Sequence, residues 1–187
     1  VRKISFTGST AVGKYLLEQS AKQVKKVSLE LGGHAPFIVF ADADLEQAVN
    51  ACIASKFRNN GQTCICANRI YVQDTIMDEF AAKLAEKTAK LKIGNGLEPG
   101  VEIGPLIDQA ALEKVEEHVR DALAKGAKLV TGGRRYEREG LNGAFYEPTV
   151  LSHVNESMAV CREETFGPVA PLISFSTEEE AVAKAND

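Results

Sequence analysis

The sequence has 187 residues, 22 Lys+Arg against 26 Asp+Glu, 44% hydrophobic and 26% charged residues, the composition of an ordinary soluble domain. No run approaches the roughly 18 apolar residues of a membrane span, and the start, Val1-Arg2-Lys3-Ile4-Ser5-Phe6-Thr7-Gly8, lacks the charged-then-apolar order of a signal peptide. A formal charge of −4, with 8 Phe, 4 Tyr and no Trp, provides neither a basic surface for phosphates nor platforms for stacked bases, which argues against nucleic acid as a partner.

Ile4 and Phe6 alternate with polar residues as in a strand, and Val12, Tyr15 and Leu16 form a short helical stripe after the turn at Gly8. Val27, Leu29 and Leu31 predict a second strand with Ser28 and Glu30 on its other face, ended by Gly32-Gly33. The unbroken apolar run Pro36 to Phe40 predicts a strand buried on both faces. Asp44 with Gln47 reads as a capping pair for a helix carrying Leu45, Ala48, Val49, Cys52, Ile53 and Phe57, which makes Cys52 a core residue. Beyond an Asn/Gly/Gln/Thr/Cys loop come a strand at Arg69 to Gln73 and a helix with Met77, Phe80, Leu84, Thr88 and Leu91.

The next predicted helix starts near Gln109, turns Leu112, Val115, Val119, Ala122 and Leu123 inward and stops at Gly126. Leu129-Val130, Thr149 to Leu151 and Val169 to Phe175 read as the remaining strands, and Thr177 with Glu180 as the capping box of the last helix. The alternation of strand and helix predicts an α/β fold with a mostly parallel sheet flanked by helices, and Gly32-Gly33 is the expected domain boundary. The Gly/Pro/Asn-rich segments 94–105 and 132–148 are long connections of the kind that carry function or interfaces. The beginning at Val and the end at Ala185-Asn186-Asp187 lead to the expectation that the chain is a piece of a longer protein.

Three places could carry chemistry. Gly8 to Tyr15 nearly fits a phosphate-binding P-loop, but Tyr15 stands where a magnesium-ligating hydroxyl belongs, and Thr10 breaks the dinucleotide glycine pattern. The free N–H groups and the Ser9 hydroxyl at a helix N-terminus still suit a pyrophosphate, against the simpler reading of a cap with a turn glycine. In Asn59-Asn60-Gly61-Gln62-Thr63-Cys64-Ile65-Cys66, a cysteine in a loop of small polar residues could be an exposed nucleophile, or one or both cysteines could be small core residues. Two cysteines at this spacing and scattered histidines make no zinc site, so no metal is expected. Glu30, at a strand end before two glycines, is either a solvated carboxylate or, if desolvated in a ligand crevice, a general base.

Phe6-Thr7-Gly8-Ser9-Thr10 with Gly13, then Leu29-Glu30-Leu31-Gly32-Gly33, then Gly61-Gln62-Thr63-Cys64, then Glu163-Glu164-Thr165-Phe166-Gly167-Pro168 resemble the aldehyde dehydrogenase superfamily in order and spacing. Phe57-Arg58-Asn59 and Gly104-Pro105-Leu106-Ile107-Asp108 are most similar to its succinate-semialdehyde dehydrogenase branch. The resemblance implies that residues 1–33 end a Rossmann-like NAD(P)-binding domain and that 34–187 are a catalytic domain, truncated at its C-terminal end.

It also implies roles. Cys64 would add to the aldehyde carbon, giving a thiohemiacetal that surrenders hydride to NAD or NADP and becomes a thioester, and Glu30 would activate the hydrolytic water. The Cys64 N–H would supply half of an oxyanion hole, Gly8 and Ser9 would meet the cofactor pyrophosphate, Glu164 the nicotinamide ribose, and Phe166 would pack near the nicotinamide end. Arg58 would bind the distal carboxylate of succinate semialdehyde, where the simpler reading is a cation at a helix C-terminus. Cys66 would be a reversible disulfide partner of Cys64 or an inert neighbour, and Cys161 has no assigned role. The partners implied are a small carboxylate-bearing aldehyde and, in the intact enzyme, further copies of the same chain, in a cytoplasmic, reducing setting. The alternatives are that these 187 residues alone are a folded module without turnover, or that the parent oxidises another aliphatic aldehyde.

Overall fold

The computed structural model describes residues 1–186, which divide into two compact units, Val1–Gly33 and a larger one from His34 onward. The smaller unit is a βαβ crossover. Strands β1 (Lys3–Gly8) and β2 (Lys26–Leu31) pair in parallel, with Ile4 opposite Val27 and Phe6 opposite Leu29, and helix α1 (Thr10–Ala21) connects them. Ser9 caps α1 by accepting from the Val12 N–H at 3.4 Å. Gly13 faces Leu31 so closely that a Cβ would lie 2.5 Å from a leucine methyl. The expected stripe on α1 holds only in part: Leu16 is half-buried on the face of the buried Gly13 and Ser20, while Val12 and Tyr15 are exposed in this unit. With two strands there is too little sheet for a helix to bury large side chains against.

The larger unit is built on a five-stranded sheet in the order β3-β4-β7-β6-β5: β3 is Ala35–Val39, β4 Ala67–Gln73, β5 Lys128–Thr131, β6 Thr149–Ser152 and β7 Val169–Phe175. All its pairings are parallel except β5 with β6. Alternate side chains of the central strands feed two cores. Ile70, Val72, Ala170 and Leu172 pack with helices α2 (Leu45–Lys56) and α3 (Met77–Thr88), which contribute Val49, Cys52, Phe80 and Leu84. Tyr71, Val169, Ile173 and Phe175 point the opposite way and pack with Val115 and Val119 of α4 (Gln109–Ala124), Val160 of α5 (Ala159–Arg162) and Ala181 of α6 (Glu178–Ala185). Helices on both faces of a mostly parallel sheet are the α/β arrangement that the strand–helix alternation predicts.

The predicted caps are present. Asp44 accepts from the Gln47 N–H at 3.0 Å, and Thr177 accepts from the Glu180 N–H at 3.2 Å while Glu180 reaches back to the Ser176 N–H. Gly126 adopts φ 101° just past α4. Three expectations need correction. β3 is an edge strand, so Pro36 and Ile38 are exposed and the run is not buried on both faces. Leu91 falls beyond the end of α3, and Leu123 on α4 is 38% exposed because the helix is at its last turn there. Among the described residues, no helix is long and apolar enough to cross a membrane.

Candidate active site

The nucleophile candidate follows from how α2 ends. After Lys56 the chain makes a 3-10 turn over Arg58–Gly61 in which Asn59, Asn60 and Gly61 all adopt left-handed backbone, with φ 50°, 59° and 73°. Asn tolerates this region better than most side chains, and such runs concentrate where a loop is set for function. At Gly61 no substitute fits, because a Cβ would lie 2.2 Å from the Gly167 carbonyl oxygen. The reversal is braced from outside. Asn60 donates to the Gly104 carbonyl at 3.0 Å, and Gln62 donates to Pro105 O at 3.3 Å and accepts from the Ile107 N–H at 2.9 Å. The connection that carries Gly104 to Ile107 is thus part of the site's frame.

Cys64 sits in the turn that follows and is the one exposed cysteine, while Cys52, Cys66 and Cys161 are buried. Cys66 directs its thiol to the last carbonyls of α2, Lys56 O at 3.4 Å and Ser55 O at 3.6 Å. Lys56 itself is fully buried and donates to Asn68 Oδ1 at 2.7 Å, so α2 and β4 are tied on both sides of the loop. Burial pushes the Lys56 ammonium below its ordinary pKa, and the Cys66 thiol beside it pulls in the other direction. Burial likewise drives the Cys52 thiol up to about 12 and the Cys161 thiol to about 11, which leaves both in the thiol form.

Arg58 is exposed, and among the described residues no carboxylate forms an ion pair with it. Glu164 is half-buried, and its carbonyl accepts from Lys114 Nζ at 2.6 Å. Phe166 is 37% exposed with φ 55°, and Thr165 between them is buried against His118 of α4 at 3.1 Å. In the smaller unit, Glu30 is exposed on β2, with its neighbours Leu29 and Leu31 on the opposite face. Ser9 and the first N–H groups of α1 stand at an exposed helix start whose first turn carries no acidic residue. A Cβ on Gly8 there would meet the tip of the Phe6 ring at 2.5 Å, so a larger residue would have to displace that ring.

Over residues 1–187, the full length, the sequence matches the model of the aldehyde dehydrogenase family. The chain belongs to that family. It is 61% identical over 187 residues to glutarate-semialdehyde dehydrogenase of Pseudomonas putida, and 60% to succinate-semialdehyde dehydrogenase (NADP(+)) GabD of Escherichia coli. In both cases all of this chain is covered and 38% of the relative. The crystal structure of succinate-semialdehyde dehydrogenase from Burkholderia pseudomallei superposes with a TM-score of 0.95 at 60% identity, again covering 100% of this chain and 38% of that one. The chain therefore spans well under half the length of the aldehyde dehydrogenases it matches.

Three buried polar side chains that tie these elements together, Lys56, His118 and Arg69, are less legible in the sequence. Lys56 lies one turn beyond Cys52 on the inward stripe of α2, and a lysine on an apolar stripe was the available signal. His118 lies between Val115 and Val119 on the inward face of α4, where spacing alone would have marked it as buried. Arg69, at the start of β4, donates to the Lys184 and Ala185 carbonyls at the end of α6 and to His34 O. Nothing in its local sequence announces that role.

Proposed function

We propose that this segment carries the reaction centre of an NAD(P)-dependent aldehyde dehydrogenase acting on a carboxylate-bearing aldehyde, succinate semialdehyde in particular. The observation that carries the proposal is the placement of Cys64: one exposed thiol, on a braced left-handed turn, in a chain whose other three cysteines are buried. The same reading takes Val1–Gly33 as the end of the cofactor domain and the unit from His34 as the catalytic domain.

Cys64, as thiolate, adds to the aldehyde carbon, and its own N–H stabilises the oxyanion of the resulting thiohemiacetal; one such donor is typically worth about 3–4 kcal/mol. A bound nicotinamide dinucleotide supplies the acceptor for the two electrons lost when this adduct becomes a thioester. Glu30 then takes a proton from water as the water oxygen adds to the thioester, and the thiol leaves as the carboxylate product forms. Arg58, exposed and six residues before Cys64, presents a planar fork of donors suited to a distal carboxylate. The residues present fit the cofactor: the α1 N-terminus with Gly8 and Ser9 suits a pyrophosphate, Glu164 the ribose hydroxyls, and the exposed Phe166 ring the nicotinamide end. The Pseudomonas putida and Escherichia coli relatives are named for glutarate and succinate semialdehyde, aldehydes that end in a carboxylate, which supports the substrate class, and the name of the second supports NADP.

The test is reduced-nicotinamide formation by the full-length protein with succinate semialdehyde. Cys64→Ala should abolish it, and Arg58→Ala should raise KM for succinate semialdehyde by tenfold or more, about the value of a lost charge-assisted contact, while leaving an uncharged aldehyde nearly unaffected. Equal effects on both aldehydes would remove the role of Arg58. A second reading applies to the 187 residues alone: the βαβ unit buries only Gly13 and Ser20 of α1, too little to hold a dinucleotide firmly, so the isolated chain should show no turnover.

A further inference from the structure

We propose that His118 is a positioning residue that sets the conformation of the Glu163–Gly167 loop and, through it, of the turn that presents Cys64. The inference rests on the roles given above to Glu164 and Phe166. The loop has no strand or helix of its own from Glu163 to Pro168, yet it holds Phe166 in left-handed backbone, a conformation that a phenylalanine adopts only when its surroundings impose it.

What imposes it is one face of α4. Lys114 and His118, one helical turn apart, each reach a different residue of the loop. Lys114 donates to the Glu164 carbonyl at 2.6 Å, and His118 Nδ1 hydrogen-bonds Thr165 Oγ1 at 3.1 Å. Between them Val115 fills the space against Gly167, where a Cβ would come within 2.4 Å of a valine methyl. Glu164, Thr165 and Gly167 are thus all gripped from the same helix.

His118 is the specific member of the three. It is 3% exposed and Thr165 is 2% exposed, so neither side chain has water in place of the other, and an apolar pair would fill the same space without their desolvation. A buried histidine–threonine pair fixes a direction as well as a distance, which packing alone does not do. Burial and the Lys114 cation hold the imidazole below its ordinary pKa, in keeping with a neutral ring bonded to Thr165, and Glu163 at 3.7 Å from Nε2 remains largely in solvent.

The second link is steric. Gly167 O is the atom that a Cβ on Gly61 would strike at 2.2 Å, so the loop and the nucleophile turn are in backbone contact three residues before Cys64. A loop that shifts when His118 lets go of Thr165 shifts this contact as well.

The experiment uses the full-length protein and two readouts: the dissociation constant for the reduced cofactor, from its fluorescence, and the rate of Cys64 alkylation by iodoacetamide with no cofactor present. His118→Ala is expected to weaken cofactor binding and to change the alkylation rate by about fivefold, the ratio that corresponds to one lost neutral hydrogen bond. KM for the aldehyde should change less than the cofactor dissociation constant, because the bond removed is to Thr165 of the loop and not to Arg58. His118→Gln, neutral and able to bond Thr165, should restore both readouts, and Thr165→Val should reproduce His118→Ala with no further loss in the double variant. Should His118→Ala not fold, Thr165→Val removes the same bond and carries the test. Wild-type values for both readouts in these variants, or no rescue by glutamine, would overturn the proposal. Glu164→Gln separates the two readings. Unchanged cofactor affinity in that variant would refute the role of Glu164, whereas weakened affinity there with no effect of His118→Ala would refute only the role of His118.

Discussion

The turn carrying Cys64 and the loop carrying Glu164 and Phe166 meet at two glycines but are secured in different ways. The nucleophile turn is tied at both ends, by Lys56 to Asn68 and by Cys66 to the final carbonyls of α2, and it is braced in the middle by Asn60 and Gln62 against residues 104–107. The Glu163–Gly167 loop is gripped along its length from the face of α4, and its start is tied to α5, where the Glu163 N–H donates to the Ala159 carbonyl at 2.9 Å. A reactive thiol needs a fixed direction of attack, whereas a loop that receives a dinucleotide must let it enter and leave. The number of independent ties follows that difference.

Breaking the junction itself should have the largest effect. In Gly61→Ala the new Cβ meets both the Gly167 carbonyl and an unfavourable φ of 73°. The backbone conformation alone costs about 1–2 kcal/mol, and overpacking typically adds about 1–3 kcal/mol. A large fall in the denaturation midpoint is expected, together with loss of Cys64 alkylation selectivity. Near-wild-type stability would mean that the two segments are not pressed together in solution.

Loosening only the nucleophile side should disturb the reactivity of Cys64 less, although its cost in stability is comparable. Lys56→Ala leaves a cavity and removes the hydrogen bond to Asn68 Oδ1, changes worth about 2–5 and about 0.5–1.5 kcal/mol when they occur separately. Lys56→Met keeps most of the volume and should recover the greater part of the stability. If alanine and methionine were equally destabilising, the amine's hydrogen bond would outweigh its packing and the tie would be electrostatic.

The mildest perturbation is pH, which acts on the other side of the comparison. Burial lowers the pKa of His118, and of His34 on β3's approach, below the unfolded value of 6.5. Between these values the unfolded chain binds more protons than the folded one, so stability is complete above pH 6.5 and declines as pH falls below it. The carboxylates held low, Asp44, Asp121 and Glu116 among them, contribute only below about pH 4.5. A fall in melting temperature between pH 6.5 and 5 that is reduced in His118→Gln would assign part of the decline to this histidine. A slope unchanged by the substitution would place it elsewhere.

Local signals in the sequence account for much of this architecture. Hydrophobic spacing places α2, α3 and α4, and Asp44 and Thr177 mark the starts of α2 and α6 because capping is a contact between residues three apart. Spacing fails where tertiary position decides exposure: Pro36 to Phe40 has the composition of a central strand, yet β3 lies at the sheet edge. The site divides along the same line. Cys64 is conspicuous by its setting among small polar residues, while Glu164 and Phe166 stand out only through the resemblance of residues 163–168 to the family's motif. Lys56, His118 and Arg69 act through partners 12, 47 and 115 residues away, separations that no periodicity encodes.

The left-handed turn before Cys64 also bears on how the molecule ages. Asn60-Gly61 is the dipeptide most prone to deamidation, a reaction in which the following backbone nitrogen attacks the side-chain carbonyl and closes a five-membered ring. Here Asn60 is 2% exposed, its amide is held on Gly104 O, and Gly61 is pressed against Gly167, so the ring cannot close without unfolding the turn. Asn95-Gly96 and Asn142-Gly143 lie exposed in the long connections, where Asn95 Oδ1 accepts from the Leu97 N–H but neither pair is buried. Chemical wear of stored protein therefore starts in those connections, and the geometry that aims the thiol also delays covalent damage beside it.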